Sequence, residues 1–171
     1  MVRECVRLFL VASLCPGCSL VLDFSDSAAP HDAMADTPYT QTECEYMEPN
    51  DSITTPAVVT AADTGPAAIC KPTDGAPEDH DFYKFTVSGA MPVTIAIAFT
   101  NRAGGDLDMK LYDSMGSMVS QSRGFGDGES ITCPGMSPAC STLAAGDYIF
   151  EVFPAVMGSV NNYTFSLTGV D

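Results

Sequence analysis

The sequence predicts an all-β fold, a single antiparallel β-sandwich of seven to nine strands. Three observations support this prediction: seven short runs have strand composition, several alternate apolar and polar residues with period two, and no stretch longer than about ten residues carries a helical stripe. Turn-forming Gly, Pro, Asn and Asp separate the runs, as is typical of sandwiches. The runs are residues 82–87, 93–99, 107–113, 118–122, 130–133, 147–153 and 162–170.

The N-terminal residues have the pattern of an export signal. Arg3 and Arg7 precede an apolar run of about ten residues that begins at Leu8 and is too short to span a bilayer. Cys18 follows small residues in an arrangement that resembles the lipobox of bacterial lipoproteins, whose cysteine is lipidated. We therefore predict a lipoprotein signal peptide over residues 1–17 and lipidation of Cys18. An ordinary cleaved signal and a redox pair of Cys15 with Cys18 are the alternatives.

Residues 18–42 have the composition of a flexible tether. They are rich in Ser, Ala, Asp, Pro and Thr and show no apolar periodicity after Phe24. The strand-like runs all lie within residues 43–171, and about 130 residues suffice for one hydrophobic core. We therefore expect one monomeric domain on an outer-membrane lipoprotein of the cell envelope, with a secreted protein as the alternative.

The chain is strongly acidic. It has 22 Asp and Glu against 7 Lys and Arg, for a formal net charge of −15. Such a surface repels nucleic acid and anionic lipid head groups and favours cations and basic partners. We therefore exclude nucleic-acid binding and expect membrane contact through the lipid anchor only.

Four cysteines remain when the three in and beside the signal are set aside. An even number in an exported chain predicts two disulfides, with three possible connectivities. Cys133 and Cys140 enclose a short, turn-rich loop that closes easily, which favours the pairs Cys133–Cys140 and Cys44–Cys70. A zinc site is a weaker alternative, because the spacing lacks a close CxxC pair.

Five blocks of the chain form a further pattern: EPNDS, DHDFYKFTV, GGDLDMKLYDSMGSMVSQS, LAAGDYIFEVFP and NNYTFSLTGV. In order and approximate spacing they resemble the bacterial pre-peptidase C-terminal (PPC) domain over residues 45–171. The resemblance implies a jelly-roll-like β-sandwich without a catalytic centre, usually an appendage of secreted proteases and other exported enzymes. Two features depart from the family. No peptidase precedes the domain in this sequence, and the loop between Cys133 and Cys140 is not part of the general pattern.

The resemblance also implies calcium, because related domains in collagenases bind this ion and some of them bind collagen. In the calcium-binding relatives an E-x-N-D segment folds against acidic residues that precede a strand. The matching residues here are Glu48, Asn50 and Asp51 in the segment and Glu78, Asp79 and Asp81 at the strand. Their carboxylate and amide oxygens are ligands that Ca²⁺ prefers. The relatives carry one more glutamate where this chain has Tyr46, and Glu45 is one residue off register, so we expect a weaker or water-completed site. Solvated loop acids are the alternative.

A second acidic set, Asp106, Asp108 and Asp113, alternates along one predicted strand. Residues at alternate positions share a face of a strand. We predict a polar, exposed face that ends in a turn at Asp113, with a second cation site as the alternative.

The sequence does not favour an enzyme. It contains no HExxH, GxSxG, Walker or GxGxxG motif, and His80 is expected to be solvent-exposed or to stabilise a turn. A glycosidase-like carboxylate pair is compatible with the many acids, but no tryptophan exists to form a sugar platform. Four tyrosines are expected to pack in the core or on a sheet face: Tyr83, Tyr112, Tyr148 and Tyr163. We predict a non-catalytic protein that binds an extracellular protein or polysaccharide. The alternative is an accessory subunit or chaperone-like partner of a secreted hydrolase.

Overall fold

The computed structural model describes residues 39–72, 76–89 and 91–171. The predicted signal peptide, Cys18 and most of the predicted tether lie outside the described residues. Within them the chain forms one short helix and eleven strands, and no helix is long and apolar enough to cross a membrane. The elements are α1 Gln41–Cys44, β1 Ala57–Val58, β2 Ala67–Ile69, β3 Asp81–Val87, β4 Val93–Ala98, β5 Leu107–Asp113, β6 Met118–Ser122, β7 Gly128–Cys133, β8 Gly135–Met136, β9 Ala139–Cys140, β10 Gly146–Pro154 and β11 Asn161–Thr168.

Two sheets pack face to face as a jelly-roll-like β-sandwich. One sheet has the strand order β1-β3-β10-β5-β6 and the other has the order β2-β11-β4-β7, while β8 and β9 form a separate hairpin. All of the described pairings are antiparallel except that of β1 with β3, which is parallel. The predicted all-β sandwich is confirmed, with one parallel pair that the sequence did not indicate.

All seven predicted runs form strands, and their ends differ from the prediction by at most two residues. The two main sheets contain nine of the strands in the described chain, so the predicted number of seven to nine holds for them. The total of eleven is larger, because the prediction omitted the four shortest strands, β1, β2, β8 and β9. Strands of two or three residues are too short for an alternating pattern to be visible.

Alternation along the strands builds the core between the sheets. In β4, Val93, Ile95 and Ile97 are buried, and the residues between them face outward. The opposite sheet contributes Tyr83 and Phe150, whose rings lie 4.9 Å apart in an aromatic core layer. The predicted core role of Tyr83 is therefore confirmed, and Tyr163 is likewise 2% exposed.

The outer face of the five-stranded sheet corrects two predictions. Asp108 is buried rather than exposed, because Arg123 lies across it, with 3.8 Å between Arg123 Nε and Asp108 Oδ2. His80 neither points freely into solvent nor stabilises a turn. Its ring stacks on Phe153 at 6.0 Å, and its Nδ1 lies 2.7 Å from Glu151 Oε1. Long side chains thus cover a sheet face that alternation alone assigns to solvent.

The turn predicted at Asp113 is present between β5 and β6. Oδ1 of Asp113 accepts hydrogen bonds from the backbone N–H groups of Met115 and Ser117, at 2.9 and 2.8 Å. Gly116 adopts a φ of 79° in this turn, a left-handed conformation that favours glycine.

The segment that leads into the sandwich, residues 39–51, begins its ordered contacts before the predicted boundary at residue 43. Tyr39 is buried, and its hydroxyl accepts a hydrogen bond of 2.8 Å from the backbone N–H of Lys71. A capping box starts α1, in which Thr40 and Glu43 each accept a hydrogen bond from the other's backbone N–H. We call residues 39–51 the leading segment.

Candidate cation site

Two disulfides are present, and they are the pairs favoured from the sequence: Cys44–Cys70 and Cys133–Cys140. The first joins the end of α1 to the residue that follows β2. A backbone hydrogen bond of 3.0 Å from the N–H of Phe82 to the carbonyl of Asn50 ties the leading segment to β3. Together these links bring the acidic residues of the leading segment next to those at the start of β3.

Glu48, Asp79 and Asp81 meet at this junction. One oxygen from each of their carboxylates lies within 4.8 Å of the other two, and in the part of the chain that the structure describes no other group of three acidic, His or Cys side chains does so. Asp81 is only 2% exposed. Three carboxylates at this spacing repel one another unless a proton or a cation lies between them.

Asn50 adds a fourth oxygen to the group. Its side chain is fully buried, and its amide oxygen faces the carboxylate oxygens of Glu48 and Asp81. With the amide reversed, the nitrogen would donate to Glu48 at 3.0 and 3.1 Å and to Asp81 at 3.1 Å. The first orientation suits a cation held among the oxygens, and the second suits the group without one.

Neutral donors hold the carboxylates in place. The backbone N–H of Cys70 donates to Asp79 Oδ2 at 2.6 Å. The Tyr163 hydroxyl donates to Asp81 Oδ2 and lies 2.8 Å from the Tyr83 hydroxyl. These donors orient the side chains but bring no positive charge, and none of the ion pairs among the described residues includes Glu48, Asp79 or Asp81.

Burial and mutual repulsion raise the pKa of all three carboxyl groups. Burial raises the pKa of Asp79 to about 7, and the charges of Glu48 and Asp51 add to the shift. Burial, with the charge of Asp79, raises the pKa of Asp81 well above its ordinary value of 3.8. The pKa of Glu48 is also raised, again mainly by burial. No positively charged group among the described residues counters these shifts.

The other two predicted ligands do not belong to this central group. Asp51 is exposed, although its carboxylate is close enough to raise the pKa of Asp79. Glu78 is bound elsewhere, because its Oε1 accepts a hydrogen bond of 2.8 Å from the backbone N–H of Gly158. Tyr46, at the position of the additional family glutamate, is partly buried against the hydrophobic core.

The second acidic set does not form a comparable group. Asp108 lies beside Arg123, whereas the carboxylate of Asp113 accepts the backbone hydrogen bonds of its own turn. Asp106 is half-buried, and its Oδ1 has no hydrogen-bond partner among the described residues. The charge of Asp106 contributes to the raised pKa of Asp108, but the three side chains do not converge on one point.

A cleft of about 400 Å³ opens beside the cluster. Its walls include the acidic side chains Glu48, Asp51 and Asp79 and both cysteines of the first disulfide. The cleft gives solvent access to the cluster, so water can reach an ion bound there.

Sequence reasoning missed the residues that orient these ligands. Tyr163 lies 82 residues from Asp81 in the chain, and the donor to Asp79 is the backbone N–H of Cys70. A tyrosine at a buried strand position gives no sign of a polar role, and a backbone donor gives no signal in the residue type.

No protein-family model matches the chain, and no curated protein matches it. Among solved structures, the chain is similar to a crystal structure of the pre-peptidase C-terminal domain of a collagenase from Bacillus anthracis. The identity is 16% and the TM-score 0.42, and the alignment covers 60% of this chain and 89% of that chain. With so distant a likeness, the case for function rests on the residues of the site.

Proposed function

We propose that this chain is a non-catalytic β-sandwich module that binds a calcium ion between its leading segment and the start of β3. One observation carries the proposal: Glu48, Asp79 and Asp81 are brought together, with Asp81 buried, and no basic side chain among the described residues forms an ion pair with them. A buried cluster of anions is costly unless a cation accompanies it.

The donor set fits calcium better than other common ions. Glu48, Asn50, Asp79 and Asp81 present only oxygen atoms, which suits a hard cation rather than zinc. The nearby sulfurs of Cys44 and Cys70 are joined in a disulfide and are not thiolate ligands. Calcium accepts six to eight oxygens in a flexible geometry, whereas magnesium requires a near-ideal octahedron. Water from the adjoining cleft would complete the coordination.

A bound ion would act on structure rather than on chemistry. Two ligands, Glu48 and Asn50, belong to the leading segment, and the other two, Asp79 and Asp81, belong to the body. The ion would offset their repulsion and fix the leading segment against the sandwich. It would thereby set the direction in which the preceding chain leaves the domain.

The cellular role that we propose for the module rests on features of the sequence. The lipobox-like N-terminus and the resemblance to the PPC domain support a cell-envelope lipoprotein that presents this module to an extracellular protein or polysaccharide. An accessory subunit of a secreted hydrolase is the second candidate, because related domains accompany such enzymes. Co-purification with a hydrolase from mild detergent extracts would favour the second candidate, and a solitary monomer would favour the first.

A calcium titration tests the proposed site. We expect isothermal titration calorimetry on the purified, chelator-treated full chain to show one bound Ca²⁺ per chain, with binding weakened at least about tenfold by Asp81→Asn. Asp147→Asn is the matched control, because Asp147 is a half-exposed acid of β10 that bonds to Thr86. Absence of binding at millimolar calcium, or an equal loss in the control, would contradict the proposal.

A further inference from the structure

We propose that the Cys44–Cys70 disulfide is a thiol-sensitive latch on the cation site: its reduction weakens calcium binding, and bound calcium protects it from reduction. The inference rests on the proposed calcium site and adds a means of regulating it.

The disulfide connects the two halves of the ligand set. Cys44 is the last residue of α1 and lies four residues before Glu48 in the leading segment. Cys70 is its partner on the body, and the backbone N–H of Cys70 donates to Asp79 Oδ2 at 2.6 Å. One covalent bond therefore fixes the leading segment to the residue that orients a ligand of the opposite half.

Apart from the disulfide, noncovalent contacts hold the start of the leading segment, including the buried ring of Tyr39. Helix α1 has four residues and none of them is buried. The hydrogen bonds from this part to the body include those of Tyr39 with Lys71, at 2.8 Å, and of Glu43 with Asn162, at 3.3 Å. When the disulfide is broken, the segment gains conformational freedom. An incoming ion must then remove that freedom, which lowers its affinity.

The disulfide is open to chemical attack. Cys44 and Cys70 are both partly exposed and line the same cleft as Glu48 and Asp79. A thiolate of a dithiol reductant attacks one sulfur, and the S–S bond breaks to leave a mixed disulfide. The second thiol of the reductant then releases the protein, so two electrons and two protons pass to the cysteines and the reductant becomes a disulfide.

Thermodynamic linkage makes the proposal quantitative. If reduction lowers the affinity for calcium by some factor, saturating calcium must shift the thiol–disulfide equilibrium of Cys44 and Cys70 by the same factor. The Cys133–Cys140 disulfide is the internal control, because it closes the β8–β9 hairpin and does not line the cleft.

The test compares paired variants of the full chain by calcium titration under oxidising conditions. We expect Cys44→Ser with Cys70→Ser to raise the Kd for calcium by at least about tenfold, and Cys133→Ser with Cys140→Ser to leave it within about twofold. Circular dichroism confirms that each variant is folded at the temperature of the titration. A folded Cys44/Cys70 variant with the wild-type Kd would overturn the latch.

A second measurement on the wild-type chain covers the case in which a variant does not fold. The chain is equilibrated in dithiol buffers of fixed composition, and alkylation with mass spectrometry reports the reduced fraction of each pair. Calcium should favour the oxidised form of Cys44–Cys70 alone, and an equal effect on both pairs, or no effect, would overturn the proposal. If the oxidised wild type binds no calcium, the proposed function itself fails. If it binds calcium with the same Kd after reduction, only the latch fails.

Discussion

Two carboxylate sites beside β3 and β10, the single Glu151 and the cluster of Glu48, Asp79 and Asp81, differ in how the cost of burial is compensated. Glu151 of β10 is 3% exposed on the outer face of the sheet. Its carboxylate is bonded to Lys110 Nζ at 3.0 Å, Tyr112 Oη at 2.6 Å and His80 Nδ1 at 2.7 Å. Burial alone would raise the pKa of Glu151, but these hydrogen bonds outweigh it and hold the pKa at about 2.

Asp81, the β3 member of the cluster of Glu48, Asp79 and Asp81, pairs with Val152, and the next residue, Phe82, pairs with Glu151. Because neighbouring residues of a strand point to opposite faces, Asp81 and Glu151 lie on opposite faces of the sheet. The cluster's hydrogen-bond donors among the described residues are all neutral, and the pKa of each of its carboxyl groups is raised. The comparison teaches that the fold places positive charge beside Glu151, whereas the described residues place none beside the cluster. At the cluster, a compensating charge would have to come from solution, as a proton or a cation.

Glu151 with its partners Lys110, Tyr112 and His80 forms what we call the Glu151 network. A substitution in this network should have the larger effect on the free energy of unfolding. We expect Glu151→Gln to lower the free energy of unfolding by about 2–4 kcal/mol, because it leaves Lys110 and His80 without their charged partner. Urea unfolding measures the change. Asp147→Asn on the same strand removes an exposed ion pair with Lys84 and should cost less than about 1 kcal/mol. Equal losses of unfolding free energy in both variants would show that the Glu151 network contributes no more than an exposed ion pair.

The two sites should also differ in how the free energy of unfolding depends on pH, with changes smaller than that caused by Glu151→Gln. The pKa of Asp79 is about 7 in the folded chain against an ordinary 3.8, so the folded state binds the proton more tightly. In calcium-free buffer the stability should therefore fall as pH rises from about 4 to about 7. The pKa of Glu151 is about 2 against an ordinary 4.5, so its contribution should be present above about pH 4.5 and lost towards pH 2.

Urea unfolding from pH 2 to pH 8 checks these two slopes. Asp79→Asn should reduce the slope only between about pH 4 and pH 7, where the raised pKa values of Glu48 and Asp81 also contribute, and Glu151→Gln should reduce the slope only below about pH 4.5. If one substitution reduces the slope in both pH ranges, the two groups are not independent, and the comparison drawn between them is wrong.

The sequence predicts most of the sandwich because its information is local. Alternation in β4 and turn residues around Asp113 each act within a few positions. The proposed ligand residues Glu48, Asn50, Asp79 and Asp81 were identified through the resemblance to a family. They do not follow from alternation, which gives no reason to separate Asp79 from its neighbour Glu78.

The remaining features depend on contacts between distant parts of the chain. The bond of His80 with Glu151 joins residues 71 apart, and Asp108 is buried because Arg123 lies over it. The side chain of an arginine can extend to solvent or lie along a sheet, and only its neighbours in the fold decide which. For the same reason Tyr163 gave no sign that it donates to Asp81.

The central claim is that the cluster at Asp81 is built for a cation, and the stability of Asp81→Asn tests it most directly. An asparagine keeps an oxygen that accepts from Tyr163 but removes one of three repelling charges. In calcium-free buffer at pH 7.5 the variant should be at least as stable as the wild type. In saturating calcium the wild type gains RT ln(1 + [Ca²⁺]/Kd) and should become the more stable of the two. A reversal in the order of their melting temperatures on adding calcium is the result we predict, and an unchanged order with no calcium-dependent shift in the wild type would contradict the account.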